Sequence, residues 1–141
     1  MLGWAAKLHE IGLAISHSQF HRHGAYIAAN ADLPGFSRQQ QVLLAALIRG
    51  HRRKFTSEGF DALPEPMRRP ARQLCVLLRL AVLIHRGRTA RGKPRLRVEA
   101  VGNELRLHFP PDWLDGHPLT RSELAQEASL LRPGGFGLAF D

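Results

Sequence analysis

The first half of the chain carries apolar residues at the three- and four-residue spacing of amphipathic helices. This spacing predicts helices over residues 2–14, 19–31 and 38–49. The third of these is preceded by Ser37, and Gln40 follows three residues later. Serine and glutamine at this spacing form a capping box, in which each side chain satisfies a backbone N–H of the other residue. The first half of the chain is therefore expected to be helical.

A longer apolar stretch predicts a fourth helix, from Pro70 to Arg86. Proline suits the first turn of a helix, where its missing N–H costs no hydrogen bond, and Gly87 is a typical stop signal. Apolar residues cover nearly the whole circumference of this helix, so we expect it to be the central element of the core. A polar connector over residues 52–66 precedes it.

The hydrophobic period changes from 3.6 residues to 2 beyond a basic linker at residues 88–94. Apolar and polar positions alternate over residues 95–100 and again over 104–109, as they do in half-buried β-strands. Gly102 and Asn103, between the two runs, are a two-residue hairpin signal. The pattern predicts a pair of antiparallel strands.

A fifth helix and a third strand are predicted near the end of the chain. Thr120 and Glu123 have the spacing of a capping box at the start of the helix. The segment Pro133-Gly-Gly135 contains the residues that end helices, and apolar residues alternate again over 136–140. The order of elements after the linker is therefore β-β-α-β.

The predicted fold is mostly α with a small α+β appendage, consisting of a helical bundle over residues 1–90 and a β-β-α-β subdomain over 95–141. A chain of 141 residues that is 44% hydrophobic can bury a core of its own. The longest apolar run, Val42–Ile48, is far shorter than the ~20 residues that span a bilayer, so no membrane segment is expected. The single cysteine, Cys75, lies in an apolar helical context, which predicts a buried free thiol and a cytoplasmic location.

Positive charge is concentrated in the first hundred residues. The formal net charge is +8, but residues 1–100 carry seventeen Lys and Arg against six Asp and Glu, whereas residues 101–141 carry three against six. Seventeen of the twenty cations are arginine, whose guanidinium binds phosphate oxygens in a bidentate manner. This distribution predicts a polyanionic partner, and a solvated basic surface without a partner is the alternative.

The candidate chemistry begins with the adjacent pair His9-Glu10. A histidine followed by a carboxylate, with further histidines downstream, resembles the outline of the HD phosphohydrolase superfamily. Those enzymes gather His and Asp ligands from several helices around one or two metal ions and hydrolyse phosphate esters.

Four segments together narrow this resemblance to one family. These segments are Leu2–Leu13, His21–Ile27, Asp32–Phe36 and Leu77–Leu83. Together they resemble the C-terminal, HD-like region of the exopolyphosphatase/guanosine pentaphosphate phosphohydrolase (Ppx/GppA) family. The resemblance implies that residues 1–90 form an HD-like domain that begins inside its parent enzyme, so that the domain is N-terminally truncated. It also implies that catalysis and Mg²⁺ binding belong to a preceding pair of actin-like domains, with no cofactor in this chain.

The HD motif at His9, Glu10 and Val82 is degenerate, because it keeps the histidine His9 but departs from the metal-binding members at Glu10 and Val82. Glu10 stands where those members have aspartate, and Val82 stands where they carry an aspartate late in the central helix. Valine has no atom that could coordinate a metal, and the first histidine of the usual set is expected upstream of Met1. We therefore expect no metal site and no catalytic residue in this chain.

The predicted polyphosphate contacts are the cationic residues of the helical region. The densest cluster follows the third helix, and a second set recurs every seven residues along the fourth helix, where such a spacing keeps side chains on one stripe. The predicted contacts are Arg22, His23, Arg49, His51, Arg52, Arg53, Lys54, Arg72, Arg79 and Arg86.

Three functions are compatible with the sequence. The preferred hypothesis is a non-catalytic region of an exopolyphosphatase-type hydrolase that binds polyphosphate or a phosphate-rich nucleotide, contacts the actin-like catalytic domains and forms a homodimer. The alternatives are an active HD-type metal-dependent phosphohydrolase and a nucleic-acid-binding module. The family resemblance and Val82 favour the first.

Overall fold

The computed structural model describes residues 1–86 and 94–141. The contacts divide the chain into two compact units, Met1–Leu80 and Ala81–Asp141. The predicted helix stop at Gly87 and nearly all of the predicted linker lie outside the described residues. No helix in the described ranges has both the length and the apolar character needed to cross a lipid bilayer.

The first unit is helical. It contains α1, α2, α3 and most of α4, with two short 3-10 helices between them. These elements are α1 (Leu2–Leu8), a 3-10 helix (Ile11–Ala14), α2 (Phe20–Asn30), α3 (Arg38–Gly50), a second 3-10 helix (Glu58–Phe60) and α4 (Glu65–His85). The helices α2 and α3 pack extensively against each other.

The capping box predicted at the start of α3 is confirmed. The backbone N–H of Gln40 donates to the Ser37 hydroxyl at 3.2 Å, and the backbone N–H of Ser37 donates to the Gln40 side chain at 2.8 Å. Because these bonds join residues three positions apart, the local sequence is sufficient to fix this helix end.

The first predicted helix is interrupted, so the continuous helix predicted over residues 2–14 is wrong. The α-helix ends at Leu8, residues 9 and 10 form a turn, and a 3-10 helix follows over Ile11–Ala14. The 3-10 helix packs against α2, and an added Cβ at Gly12 would lie only 1.8 Å from the carbonyl oxygen of Phe20. Gly12 is therefore a point of close approach between two backbone segments.

The fourth helix begins at Glu65, five residues before the predicted start, with Pro70 inside it. The backbone N–H of Met67 donates to the carbonyl of Pro64 at 2.8 Å, which establishes the first turn. Pro70 then removes only one hydrogen bond close to the helix start, which a packed helix tolerates. Along α4, Cys75, Val76 and Leu78 are completely buried, as a core helix requires.

The second unit contains the β-β-α-β arrangement that the change of period predicts. Strands β1 (Arg97–Val101) and β2 (Glu104–His108) pair antiparallel, and β3 (Gly137–Phe140) pairs parallel to β2, giving the order β1-β2-β3. The mostly α fold with a small β appendage is thus confirmed. Leu105 and Leu107 of β2 are buried, whereas all of β1 is exposed. Strand β2 is the central strand of the sheet, and α5 contacts β3.

Helix α5 (Pro118–Leu131) starts two residues before the predicted cap. Thr120 and Glu123 therefore lie within the helix, and the capping box predicted there is wrong. His117 occupies the N-cap position, and its ring stacks on Trp113 with 3.8 Å between the ring centroids. Pro118 follows at the first helical position, where its fixed φ angle favours the start of a helix.

Candidate functional site

A cleft of about 310 Å³ opens in the first unit at the end of α3. Its walls come from the start of α2, the end of α3 and the segment that follows α3. Five cations line it: Arg22, Arg49, Arg52, Arg53 and Lys54. Among the described residues around this cationic pocket, Glu58 is the only acidic one. The pocket is therefore built to attract anions.

The loop of the cationic pocket is held by a buried arginine from α4. The Arg79 guanidinium donates from Nη1 to the carbonyl of Gly50 and from Nη2 to the carbonyl of Arg53, both at 2.7 Å. Arg53 has a left-handed φ of 68°, which is unfavourable for a residue with a Cβ. Arg79 is 2% exposed and does not line the pocket, so it supports the loop from beneath.

Two buried histidines lie close to the cations of the pocket. His21 is 8% exposed and lines the pocket, and His51 is 5% exposed and does not. The His51 Nδ1–H donates to the carbonyl of Ile48 at 2.6 Å. The ring centroids of the two histidines are 6.5 Å apart. Phe20 adjoins both rings, and the Arg52 guanidinium lies 4.6 Å from the centroid of Phe20.

Both buried histidines are uncharged at neutral pH. Burial lowers the pKa of His21 from 6.5 to about 4, and Arg52, Arg22, Arg53 and Arg49 contribute to this shift by charge repulsion. Burial also lowers the pKa of His51 to about 4, although its hydrogen bond to the backbone of Ile48 opposes the shift. A neutral imidazole can donate or accept a hydrogen bond without adding to the crowded positive charge.

These two pKa values predict a loss of stability in acid. The unfolded chain takes up protons at about pH 6.5 and the folded chain at about pH 4, so stability is full above about pH 6.5 and falls towards pH 4. Between about pH 7 and about pH 5 we expect each histidine to remove up to about 2 kcal/mol. Urea titrations across this range measure the loss. His51→Asn should make the free energy of unfolding depend less steeply on pH, whereas the control His85→Asn, at an exposed site, should not. An equal slope in His51→Asn would exclude this origin.

The residues of the degenerate HD motif do not line the pocket. The His9 Nδ1–H donates to the carbonyl of Ala6 at 2.8 Å, and its Nε2 lies 4.0 Å from the exposed carboxylate of Glu10. The ring of His9 contacts that of His51, with 5.2 Å between centroids. Val82 is partly buried in α4 and offers no ligand atom. Within the residues that the structure describes, no three His, Cys, Asp or Glu side chains form a group that could hold a metal.

The structure brings five of the ten predicted phosphate contacts to the pocket. His23, His51, Arg72, Arg79 and Arg86 are not among the described residues that line it. Arg86 is exposed in the second unit, with its guanidinium 3.6 Å from the carboxylate of Glu123.

The predicted phosphate contacts do not include His21, which does line the pocket. Its helical spacing gives a signal, because His21 shares the buried face of α2 with Gly24, Ala25 and Ala28. A histidine on an otherwise small and apolar buried face requires a polar partner or a ligand.

Comparison with known proteins gives a consistent family. Residues 1–128 match the family described as Ppx/GppA phosphatase, domain III. Three similar relatives are guanosine-5'-triphosphate,3'-diphosphate pyrophosphatases. The protein from Pseudoalteromonas translucida is 38% identical over 91% of this chain and 26% of its own length. The protein from Aeromonas hydrophila is 40% identical over 90% of this chain and 26% of its own length. The protein from Vibrio vulnificus is 36% identical over 100% of this chain and 28% of its own length.

The chain thus spans about a quarter of the length of these curated relatives and matches a C-terminal part of them. The family match covers the whole of the helical unit and most of the β-containing unit, and the sequence resemblance to this family is confirmed. The chain belongs to the Ppx/GppA phosphatase family, in which it corresponds to domain III.

Proposed function

We propose that this chain is a non-catalytic, phosphate-binding region of a GppA-type hydrolase. The observation that carries the proposal is the convergence of five cations from two helices and a loop on one pocket, with a single acidic side chain among the described lining residues. Arginine dominates this set, and its planar guanidinium suits the oxygens of a phosphate group. A solvated basic face would not require a buried arginine such as Arg79 to fix the loop.

The ligand is proposed to be polyphosphate or a phosphate-rich nucleotide. A volume of about 310 Å³ corresponds to roughly ten waters, which leaves room for more than one phosphate group. The aromatic residues of the pocket, Phe55 and Phe60, are each 1% exposed and offer no free face for a base. The pocket should therefore recognise phosphate groups, which both ligands provide. The relatives' names, which specify guanosine 5'-triphosphate 3'-diphosphate, support the nucleotide as the physiological ligand.

The burial of the pocket's aromatic residues also weakens the hypothesis that the chain is a nucleic-acid-binding module. Proteins that bind single strands interleave exposed aromatic rings with basic residues so that bases can stack. The exposed aromatic residues of the described chain include Trp4 and Tyr26, but neither lines the cationic pocket. We therefore favour a ligand recognised by its phosphates alone.

We also propose that the chain acts together with further protein surfaces. The region before α2 exposes large apolar residues, with Trp4 at 50%, Leu13 at 41% and Ile15 at 55%. Exposed apolar groups of this size are typical of interaction sites. The proposed partners are the actin-like catalytic domains that bind Mg²⁺ and a second copy of the chain. A cytoplasmic location suits the fully buried, reduced thiol of Cys75.

The experiment that tests the proposed function removes arginines from the pocket and measures polyphosphate binding by the full 141-residue chain. Weaker binding with an unchanged fold would support the function. Unchanged binding would contradict it.

We expect the 141-residue chain to release no phosphate from polyphosphate, guanosine pentaphosphate or an aryl phosphate. The reason is chemical, because Val82 cannot ligate a metal and the carboxylate of Glu10 is exposed beside His9. The measurement is colorimetric phosphate release with Mg²⁺ or Mn²⁺ in excess. His9→Ala serves as the control, because turnover that disappears in this variant would establish the chain as an active phosphohydrolase.

A further inference from the structure

One buried polar atom of the cationic pocket has no hydrogen-bond partner among the residues that the structure describes. The side chain of His21 lines the pocket and is 8% exposed, and its Nδ1 is buried without a hydrogen-bond partner in the part of the chain that the structure describes. A buried polar atom without a hydrogen bond costs roughly 1–3 kcal/mol. A ligand in the pocket is a natural source of the missing partner.

The charges around His21 come from both helices of the pocket and from its loop. Arg22 is the next residue on α2, Arg49 comes from the end of α3, and Arg52 and Arg53 come from the following loop. The adjoining rings are those of Phe20 and His51, neither of which carries a charge at neutral pH. The charges that shift the pKa of His21 are thus all positive, although Glu58 lines the same pocket.

We propose that His21 is the proton-accepting contact of the pocket, so that binding of a polyphosphate chain takes up one proton from solvent. The inference rests on the proposed function that the pocket binds phosphate groups. The free imidazole accepts the proton on its unprotonated nitrogen, and the resulting imidazolium donates a hydrogen bond to a phosphate oxygen. No covalent bond is made or broken between ligand and protein, and the buffer supplies the proton.

Binding is expected to raise the pKa of His21 because the polyanion reverses the positive electrostatic potential around this side chain. In the free chain, burial and four arginines hold the pKa of His21 at about 4. A bound polyanion offsets the arginine charges and provides an acceptor for the imidazolium N–H, and both effects raise the pKa in the complex. At any pH between the free and the bound pKa, the complex carries more protons than the free chain. Binding must then strengthen as the pH falls.

His51 is not expected to act in this way, although it is equally buried. Its Nδ1–H is already bonded to the carbonyl of Ile48, and its ring does not line the pocket. Between these two histidines, the structure gives only His21 both an unpartnered nitrogen and a position on the pocket wall.

The test is calorimetry of the 141-residue chain with long-chain polyphosphate in buffers of different ionisation enthalpy. Internal phosphates of a long chain are strongly acidic, so the ligand itself contributes little titration. At about pH 6 the enthalpy should vary with the buffer in proportion to an uptake approaching one proton, and at about pH 8 the uptake should be close to zero. The Kd should fall by up to about tenfold per pH unit as the pH is lowered between these limits.

Variants assign the proton to its residue. His21→Asn should bind polyphosphate without the pH dependence and without the buffer dependence of the parent. His85→Asn, an exposed histidine outside the pocket, should behave as the parent. Proton uptake that persists in a folded His21→Asn chain, or no uptake by the parent, would overturn the proposal. Absence of any binding by the parent would overturn the proposed function as well.

A second measurement keeps the inference testable if His21→Asn does not fold. NMR titration of the histidine side chains in the parent chain reports the pKa of His21 directly. Addition of polyphosphate should raise this pKa from about 4 to about 7, as the proton uptake at about pH 6 requires, while the signals of His85 should not respond to the ligand. An unchanged pKa of His21 in the saturated complex would contradict proton uptake at this residue.

Discussion

Gly12→Ala is expected to destabilise the chain severely, because the new methyl group would meet the backbone of α2. An added Cβ would lie 1.8 Å from the carbonyl oxygen of Phe20 and 2.5 Å from the backbone nitrogen of Gly24. Both neighbours are backbone atoms, so no side chain can move away to relieve the clash. Overpacking of a core costs about 1–3 kcal/mol, and more where a helix must shift, so we expect a loss of at least about 3 kcal/mol.

Gly3→Ala is the matched control for this prediction. Gly3 lies in α1, and an added Cβ there would meet nothing within 4 Å. Alanine is favoured over glycine in a helix by about 1 kcal/mol, so this variant should be as stable as the parent or slightly more stable. Urea denaturation of the three chains measures both effects. A Gly12→Ala chain as stable as the parent would show that the 3-10 helix does not pack on α2 as described.

The triple substitution Arg49→Ala, Arg52→Ala and Arg53→Ala should weaken polyphosphate binding by about a hundredfold. All three arginines are among the residues that line the cationic pocket. A charge-assisted contact at a partly exposed site contributes about 1 kcal/mol, so three such contacts amount to about 3 kcal/mol. Each lost contact also releases one fewer counterion, so the dependence of log Kd on log salt should fall by up to about three units. Titrations between about 50 and about 200 mM salt measure both.

A second triple variant separates pocket recognition from net charge. Arg69, Arg95 and Arg132 are exposed and do not line the pocket, so their replacement by alanine removes the same charge elsewhere. Its Kd should stay within about threefold of the parent. Equal losses in the two variants would mean that polyphosphate senses only the overall charge. An RNA oligonucleotide of equal charge should bind the parent more weakly than polyphosphate, and tighter RNA binding would favour the nucleic-acid alternative.

The pocket illustrates how far local pattern can predict a functional site. The run from Arg49 to Lys54 is visible as a charge cluster in the sequence, and the structure places most of it around the pocket. The seven-residue stripe of α4 predicts phosphate contacts in the same way, yet Arg79 is buried and bonded to backbone carbonyls. Sequence spacing identifies which side chains share a helix face, but not whether that face meets solvent or a neighbouring loop.

The sequence by itself determined the features that arise from contacts within a few residues. The capping box of α3, the hairpin between β1 and β2 and the order β-β-α-β all follow from local hydrogen bonding and from side-chain period. Such interactions join residues that are neighbours along the chain, so their geometry is largely independent of what packs around them.

Only the tertiary structure decided where packing between elements interrupts a regular helix. The break after Leu8 occurs because the 3-10 helix must bring Gly12 against Phe20 of α2, and no nearby residue signals that approach. The position of His21 in the pocket lining and the hydrogen bonds from Arg79 to the loop likewise depend on residues far apart in sequence. These arrangements are set by the burial of side chains and backbone polar groups between elements, which the pattern of any single element does not contain.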